Sequence, residues 1–147
     1  MNYFAYGSNM DLKRLEDLEI HFKDMSAGRI KGWKLVFNVL DNKEKGTGYA
    51  NIVPDPKGEV EGLIIDTDRE SIKKLDWCED YPDYYKKKKV IAINSDSKKV
   101  KCMTYIGNKK KITEGLFPNK IYMKHILKGK MFLDKAYFKH LRRLKTK

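Results

Sequence analysis

Between Arg29 and Thr67 the chain contains three β-branched and aromatic runs, RIKGWKLVFNVL, YANIVP and EVEGLIIDT, separated only by DNKEKGTG and DPKG. A parallel return needs a crossover of about a dozen residues or more, so runs joined this closely must pair antiparallel. In EVEGLIIDT, Val60 and Gly62 alternate with Glu59, Glu61 and Leu63, the period of a strand with one covered face. A second pair of runs, YYKKKKVIAI and KVKCMTYIG, reads as a hairpin about the polar turn Asn94 to Lys98.

Helical patterns flank these strands. Residues 2–6 read as a short buried strand of aromatics and alanine, which breaks without a spacer into Gly7, Ser8 and Asn9. In MDLKRLEDLEI, residues 10–20, Leu12, Leu15 and Leu18 or Ile20 fall at helical spacing, with Asn9 or Asp11 available as N-cap. Thr67-Asp68-Arg69-Glu70 matches a capping box for a helix reaching about Cys78. Two further helices fall near Ile121–Lys128 and Asp134–Leu144. The 147 residues show no repeat or linker, so the order βα, strands, α, hairpin, αα predicts one α+β domain over residues 1–147. Its core is a small, curved or barrel-like antiparallel sheet with flanking helices.

Composition narrows the function. No run of about 18 apolar residues is present, and no basic segment leads into an apolar stretch, which predicts no membrane partner and a cytoplasmic location. Cys78 and Cys102 belong to no CxxC pair and read as reduced thiols, and His21, His125 and His140 lack ligand spacing, so no metal site is expected. His125 and His140 read as exposed positions on the last helices. The net charge of +12 raises nucleic acid as a partner, but only five of the 32 basic residues are arginine, the usual choice for bidentate phosphate contacts. The lysine excess, including Lys86 to Lys89, reads instead as a solvated surface whose long stems reach water.

One carboxylate stands out. Ile72 and Leu75 define the apolar stripe of the helix after Thr67, and steps of three and four residues carry it to Cys78 and Glu79. There, at a helix C-terminus, desolvation and the negative end of the dipole both oppose ionisation, which suits a proton-transfer group near neutral pH. Periodicity alone leans the other way, with Glu79 past the helix end, in a loop with Asp80 and Asp83, facing water. Cys78 reads as packed in its helix, and Ser8 has no neighbouring base in sequence to make it a nucleophile.

Three segments in order, YFAYGSNM, LDWCEDYPDYYKKKKV and PNKIYMKHILKG, together with GYANIVPDPKGEVEGLIIDT between the first two, resemble the gamma-glutamylcyclotransferase-like (AIG2-like) family over nearly the whole chain. The resemblance implies that Glu79, after Leu-Asp-x-x, is the general base. It implies that the segment Tyr3, Phe4, Ala5, Tyr6, Gly7, Ser8 and Asn9 cradles the substrate, with Tyr84 or Tyr85 and the late Tyr122 lining the pocket. Asp80 stands where the family usually has glycine, and it could raise the pKa of Glu79 further or tune the site for a cationic substrate. The implied partner is a small gamma-glutamyl compound, cyclised by its own α-amine to 5-oxoproline without cofactor, metal or enzyme nucleophile. Fixed N–H donors of the Gly-Ser-Asn turn would meet the oxyanion or the α-carboxylate. A non-catalytic module holding a small ligand on the same fold is the alternative, with a basic nucleic-acid binder behind it. The leaving group would be chosen by loops around 41–47, 80–84 and 107–119, where the sequence holds no readable code.

Overall fold

A computed structural model describes residues 1–147. Five strands, β1 (Asn2–Ala5), β2 (Phe22–Leu40), β3 (Gly48–Thr67), β4 (Tyr85–Asn94) and β5 (Lys99–Gly107), close into a barrel in the order β1-β3-β2-β4-β5. Four helices flank it: α1 (Leu12–Asp17), α2 (Arg69–Cys78), α3 (Lys120–Leu127) and α4 (Lys135–Arg143). The α+β barrel-like domain expected from the strand and helix pattern is present. None of the helices is long and apolar enough to cross a membrane.

Every strand pairing is antiparallel except the closing seam, where β1 meets β5 in parallel at Tyr3 and Met103. Side chains reinforce this seam, since Thr104 Oγ1 donates to the Phe4 carbonyl at 2.7 Å and Tyr6 Oη to that of Tyr105 at 2.6 Å. The apolar core draws on the barrel and on one face of each helix, including Leu15, Leu75, Ile126 and Leu141.

The meander differs from expectation in two places. YANIVP and EVEGLIIDT are one strand, β3, and both halves pair with β2. Asp55 to Gly58 swell out where the register jumps from Lys31↔Glu59 to Trp33↔Pro54. The Asp55 carboxylate closes that excursion on the N–H of Lys57, and a Cβ at Gly58 would run into the Trp33 carbonyl. Second, β2 begins at Phe22 rather than Arg29. Lys23, Asp24 and Ser26 hide this half from a hydrophobic reading, yet it pairs through Met25↔Ile65 and Ala27↔Leu63.

The helix caps follow local chemistry. Asp11 caps α1 by accepting from the Lys13 N–H at 3.1 Å, while Ser8 to Met10 form a single 3-10 turn ahead of it. The capping box at α2 is shifted by one residue, with Asp68 accepting from the Ser71 N–H at 2.8 Å. Thr67 still belongs to β3, and its hydroxyl bonds the His21 carbonyl.

Candidate active site

The break after β1 and the C-terminal end of α2 meet. Asn9 Nδ2 donates to Glu79 Oε1 at 3.0 Å and to Tyr3 Oη at 2.9 Å, across 70 residues of sequence in the first case. Glu79 is the C-cap of α2, half-buried, with its carboxyl turned into the cavity lined by Tyr3, Tyr6, Asn9 and Tyr122. Burial pushes its pKa up from 4.5 to about 7, against the opposing pull of the Arg14 cation and the Asn9 hydrogen bond. The inward placement on the α2 stripe, one of the two open to the sequence, is the one observed.

The floor is built by tyrosines on backbone. β1 covers β3 only over Leu63–Asp66, and beyond it the Ala50 carbonyl accepts from Tyr85 Oη at 2.6 Å while the Ala50 N–H donates to Tyr122 Oη at 3.0 Å. Tyr6 and Tyr85 thus spend their hydroxyl protons on carbonyls. Tyr3 and Tyr122 each accept one bond and keep a proton to donate into the cavity. Burial raises the pKa of both, with the Glu79 charge adding to it, so both stay protonated. A Cβ placed on Gly7 would stand 3.4 Å from Ala50 Cβ and from Tyr122 Oη, so glycine leaves this wall open. The Gly7 N–H makes no hydrogen bond within the chain, and those of Ser8 and Asn9 open a 3-10 turn and have no acceptor inside it.

Above this floor lies a cavity of about 320 Å³ open to solvent, walled by Ser8, Arg14, Lys43, Tyr49, Cys78, Asp80, Tyr84 and His125 as well as Glu79, Tyr85 and Tyr122. Of the residues expected at the site, Tyr3, Tyr6, Gly7, Ser8, Asn9, Glu79, Tyr85 and Tyr122 gather at the floor, and Tyr84 stands on the outer wall. Phe4 and Ala5 do not take part. They are fully buried, paired with Ile64 and Leu63, and line neither space. Alternation along β1 sends Tyr3 to one face and Phe4 to the other, so a segment read as one cradle divides into lining and core.

A match to the family model described as "Gamma-glutamyl cyclotransferase, AIG2-like" spans residues 3–124. The chain belongs to this family. "Putative gamma-glutamylcyclotransferase MJ1514" of Methanocaldococcus jannaschii is 32% identical over 68 residues, 43% of this chain and 57% of that protein. The match thus spans little more than half of that relative's length. A solved structure named "Gamma-glutamyl cyclotransferase" superposes with a TM-score of 0.83 at 22% identity, covering 100% of this chain and 89% of the other. A yeast gamma-glutamyl cyclotransferase described as specific to glutathione gives 0.72 at 11% identity, covering 96% and 93%. At these identities the likeness is one of fold.

Within the gamma-glutamyl cyclotransferase, AIG2-like framework, Asp80 has a local explanation. It follows the C-cap with φ of +53°, its N–H bonding the Trp77 carbonyl at 3.2 Å while that of Tyr81 bonds Asp76 at 2.9 Å. This is a Schellman ending, whose left-handed residue is most often glycine. The exposed Asp80 side chain is not among the groups that set the Glu79 pKa, which corrects the first of its two expected effects. Asp80→Gly is therefore expected to stabilise the protein by about 1 kcal/mol and raise Tm by about 2–4 °C, with the pH dependence of turnover unchanged. Thermal melts and a pH–rate profile of the variant check this.

Two groups escaped the sequence reading. Arg14 lies half-buried on α1, bonds Asn9 Oδ1 through Nε at 3.1 Å, and has no carboxylate within ion-pair distance. Its signal was available, as one of only five arginines in a lysine-rich chain, on the helix directly behind the Gly-Ser-Asn turn. His125, expected to be exposed, is instead half-buried on the outer wall, with Nδ1 2.8 Å from Asp11 Oδ2. Burial works against ionisation of Asp11, but His125 and the N–H groups of Arg14 and Lys13 hold its pKa below the ordinary value. His140 is exposed. Cys78 lines the outer wall, and burial raises its pKa, as expected of an unreactive thiol.

Proposed function

We propose that this chain cyclises a gamma-glutamyl amide to 5-oxoproline and releases the amine, with Glu79 as the proton carrier. The observation that carries this reading is Glu79 itself, a carboxylate with a pKa of about 7 tied by Asn9 to a turn with free N–H groups. Family membership supports the reaction class.

The chemistry is intramolecular. The substrate's α-amine attacks its own γ-carbonyl carbon, so the protein mainly has to fold and hold the chain, which can supply many powers of ten in rate. The α-ammonium first gives a proton to the Glu79 carboxylate. The freed amine forms the new C–N bond, and the carbonyl π pair moves onto oxygen. That oxyanion needs preorganised donors, for which the O–H groups of Tyr3 and Tyr122 and the turn N–H groups are candidates. The same turn and the cation of Arg14 suit a substrate carboxylate. As the oxygen's pair re-forms the carbonyl, the ring nitrogen gives up its second proton, the leaving nitrogen takes one up, the original C–N bond breaks, and the amine departs towards the outer cavity.

Incubating the protein with a panel of gamma-glutamyl amino acids, peptides and amines and assaying 5-oxoproline tests the reaction. Release from at least one member of the panel is expected. Tight binding across the panel without product would instead favour the non-catalytic module.

The base must be ionised to act, so kcat/KM is expected to fall as pH drops through about 7. Arg14 favours the ionised form, so in Arg14→Leu the acid limb should move to higher pH and activity at pH 7 should drop. A pH–rate profile in which Arg14→Leu moves the limb down or leaves it in place would refute this role.

A further inference from the structure

The cyclisation proposed above, on which this inference rests, moves more protons than one carboxylate holds at once. The α-ammonium starts with three hydrogens and the lactam nitrogen keeps one. The leaving nitrogen starts with one and departs as an amine with at least two. Two protons must come off one nitrogen and one must reach the other, while Glu79 carries a single proton at a time.

His125, backed by Asp11, faces the same space. His125 lies on α3 three residues after Tyr122, so the two share a helix face with an axial step of about 4.5 Å, Tyr122 at the floor and His125 on the outer wall. Asp11 Oδ2 lies 2.8 Å from His125 Nδ1, and the Asp11 side chain is only 11% exposed. A carboxylate against Nδ1 fixes the proton on that nitrogen and leaves Nε2 as the working atom. Nε2 has no partner within the chain, and the His125 side chain is 39% exposed. Ser8 lines the same cavity but makes no hydrogen bond to His125, so the pair is not the base of a serine nucleophile.

We propose that His125, oriented by Asp11, is a second catalytic residue that donates the proton to the leaving nitrogen. Glu79 takes one proton from the α-ammonium, the N–C bond forms, and the carbonyl pair moves to oxygen. The imidazolium then gives its Nε2 proton to the leaving nitrogen as the old C–N bond breaks and the carbonyl re-forms. The second proton on the ring nitrogen and the one on Glu79 pass to water, and water returns one to the imidazole. The net proton left over is the one the released amine takes up as it becomes an ammonium.

The test compares gamma-glutamyl ethylamide, whose nitrogen cannot depart without gaining a proton, with the gamma-glutamyl trifluoroethyl ester, similar in size, whose weakly basic alkoxide can depart without one, spontaneous cyclisation being subtracted. His125→Gln is expected to lower kcat/KM for the ethylamide about 10²-fold and for the trifluoroethyl ester less than about threefold. Glu79→Gln should lower both alike. Asp11→Asn retains a side-chain oxygen to cap α1 but misdirects the imidazole, and it should lower the ethylamide rate about tenfold with the trifluoroethyl ester near wild type. This variant carries the test if His125→Gln melts early. Equal losses on the amide and the ester, or none on either, in the folded variants would overturn the role of His125. A wild-type protein that forms no 5-oxoproline from the ethylamide would count against the cyclisation itself.

Discussion

Replacing Glu79 with glutamine is expected to lower kcat by about 10²–10⁴ while leaving the protein at least as stable as wild type at pH 8. The two halves of this result have one cause. In the unfolded chain the carboxyl titrates near 4.5, and in the fold near 7. Between those values the folded protein binds more protons, so Glu79 lowers stability as pH rises through this window, and the penalty is fully present above it. Glutamine can keep its side-chain oxygen as acceptor for Asn9 Nδ2 and carries no charge, so the variant should gain on the order of 1–3 kcal/mol at pH 8 and little at pH 4. A residue held for packing would behave in the opposite way, losing stability without a specific loss of turnover. Steady-state kinetics with urea melts at the two pH values separate these outcomes.

Phe4→Ala is expected to cost about 3–5 kcal/mol of stability while leaving KM near wild type in the folded fraction. Phe4 is 0% exposed, its backbone pairs with Ile64, and its carbonyl accepts the Thr104 hydroxyl. Truncating it opens a hole in the barrel core, away from both chambers of the site. Tyr122→Phe should divide the other way, with a small change in Tm and a clear loss of turnover, since it removes the O–H held on the Ala50 N–H. If Phe4→Ala raised KM strongly at unchanged stability, the division of β1 into lining and core would be wrong.

Much of this was legible in the residues because it is local. The meander needed only short connectors, and the spacing of Ile72 and Leu75 was enough to single out Glu79, though not to decide which way it faces. What stayed hidden depends on partners far away in sequence. The first half of β2 interrupts Phe22, Met25 and Ala27 with Lys23, Asp24 and Ser26, and it becomes a strand on the ladder that β3 offers from Gly62 to Thr67. The split of Tyr3 from Phe4 depends on which face of β1 the barrel closes over, and β5 decides that from about a hundred residues away. The Asp11 to His125 contact spans 114 residues, and no pattern in either helix announces it. Asp80 was legible as an oddity, but its meaning lies in its φ of +53°. The motif order pointed to the proposed base, while the placing of the groups around it, Arg14, Ala50 and His125, required the fold.

The most direct test is a ¹³C NMR titration of the glutamate carboxyls in wild type and Glu79→Gln, set beside the pH dependence of kcat/KM. The resonance missing from the variant should titrate near pH 7 and match the acid limb of kcat/KM, as expected for a buried proton carrier. A missing resonance that titrates near 4.5, with an acid limb that does not follow it, would contradict the account.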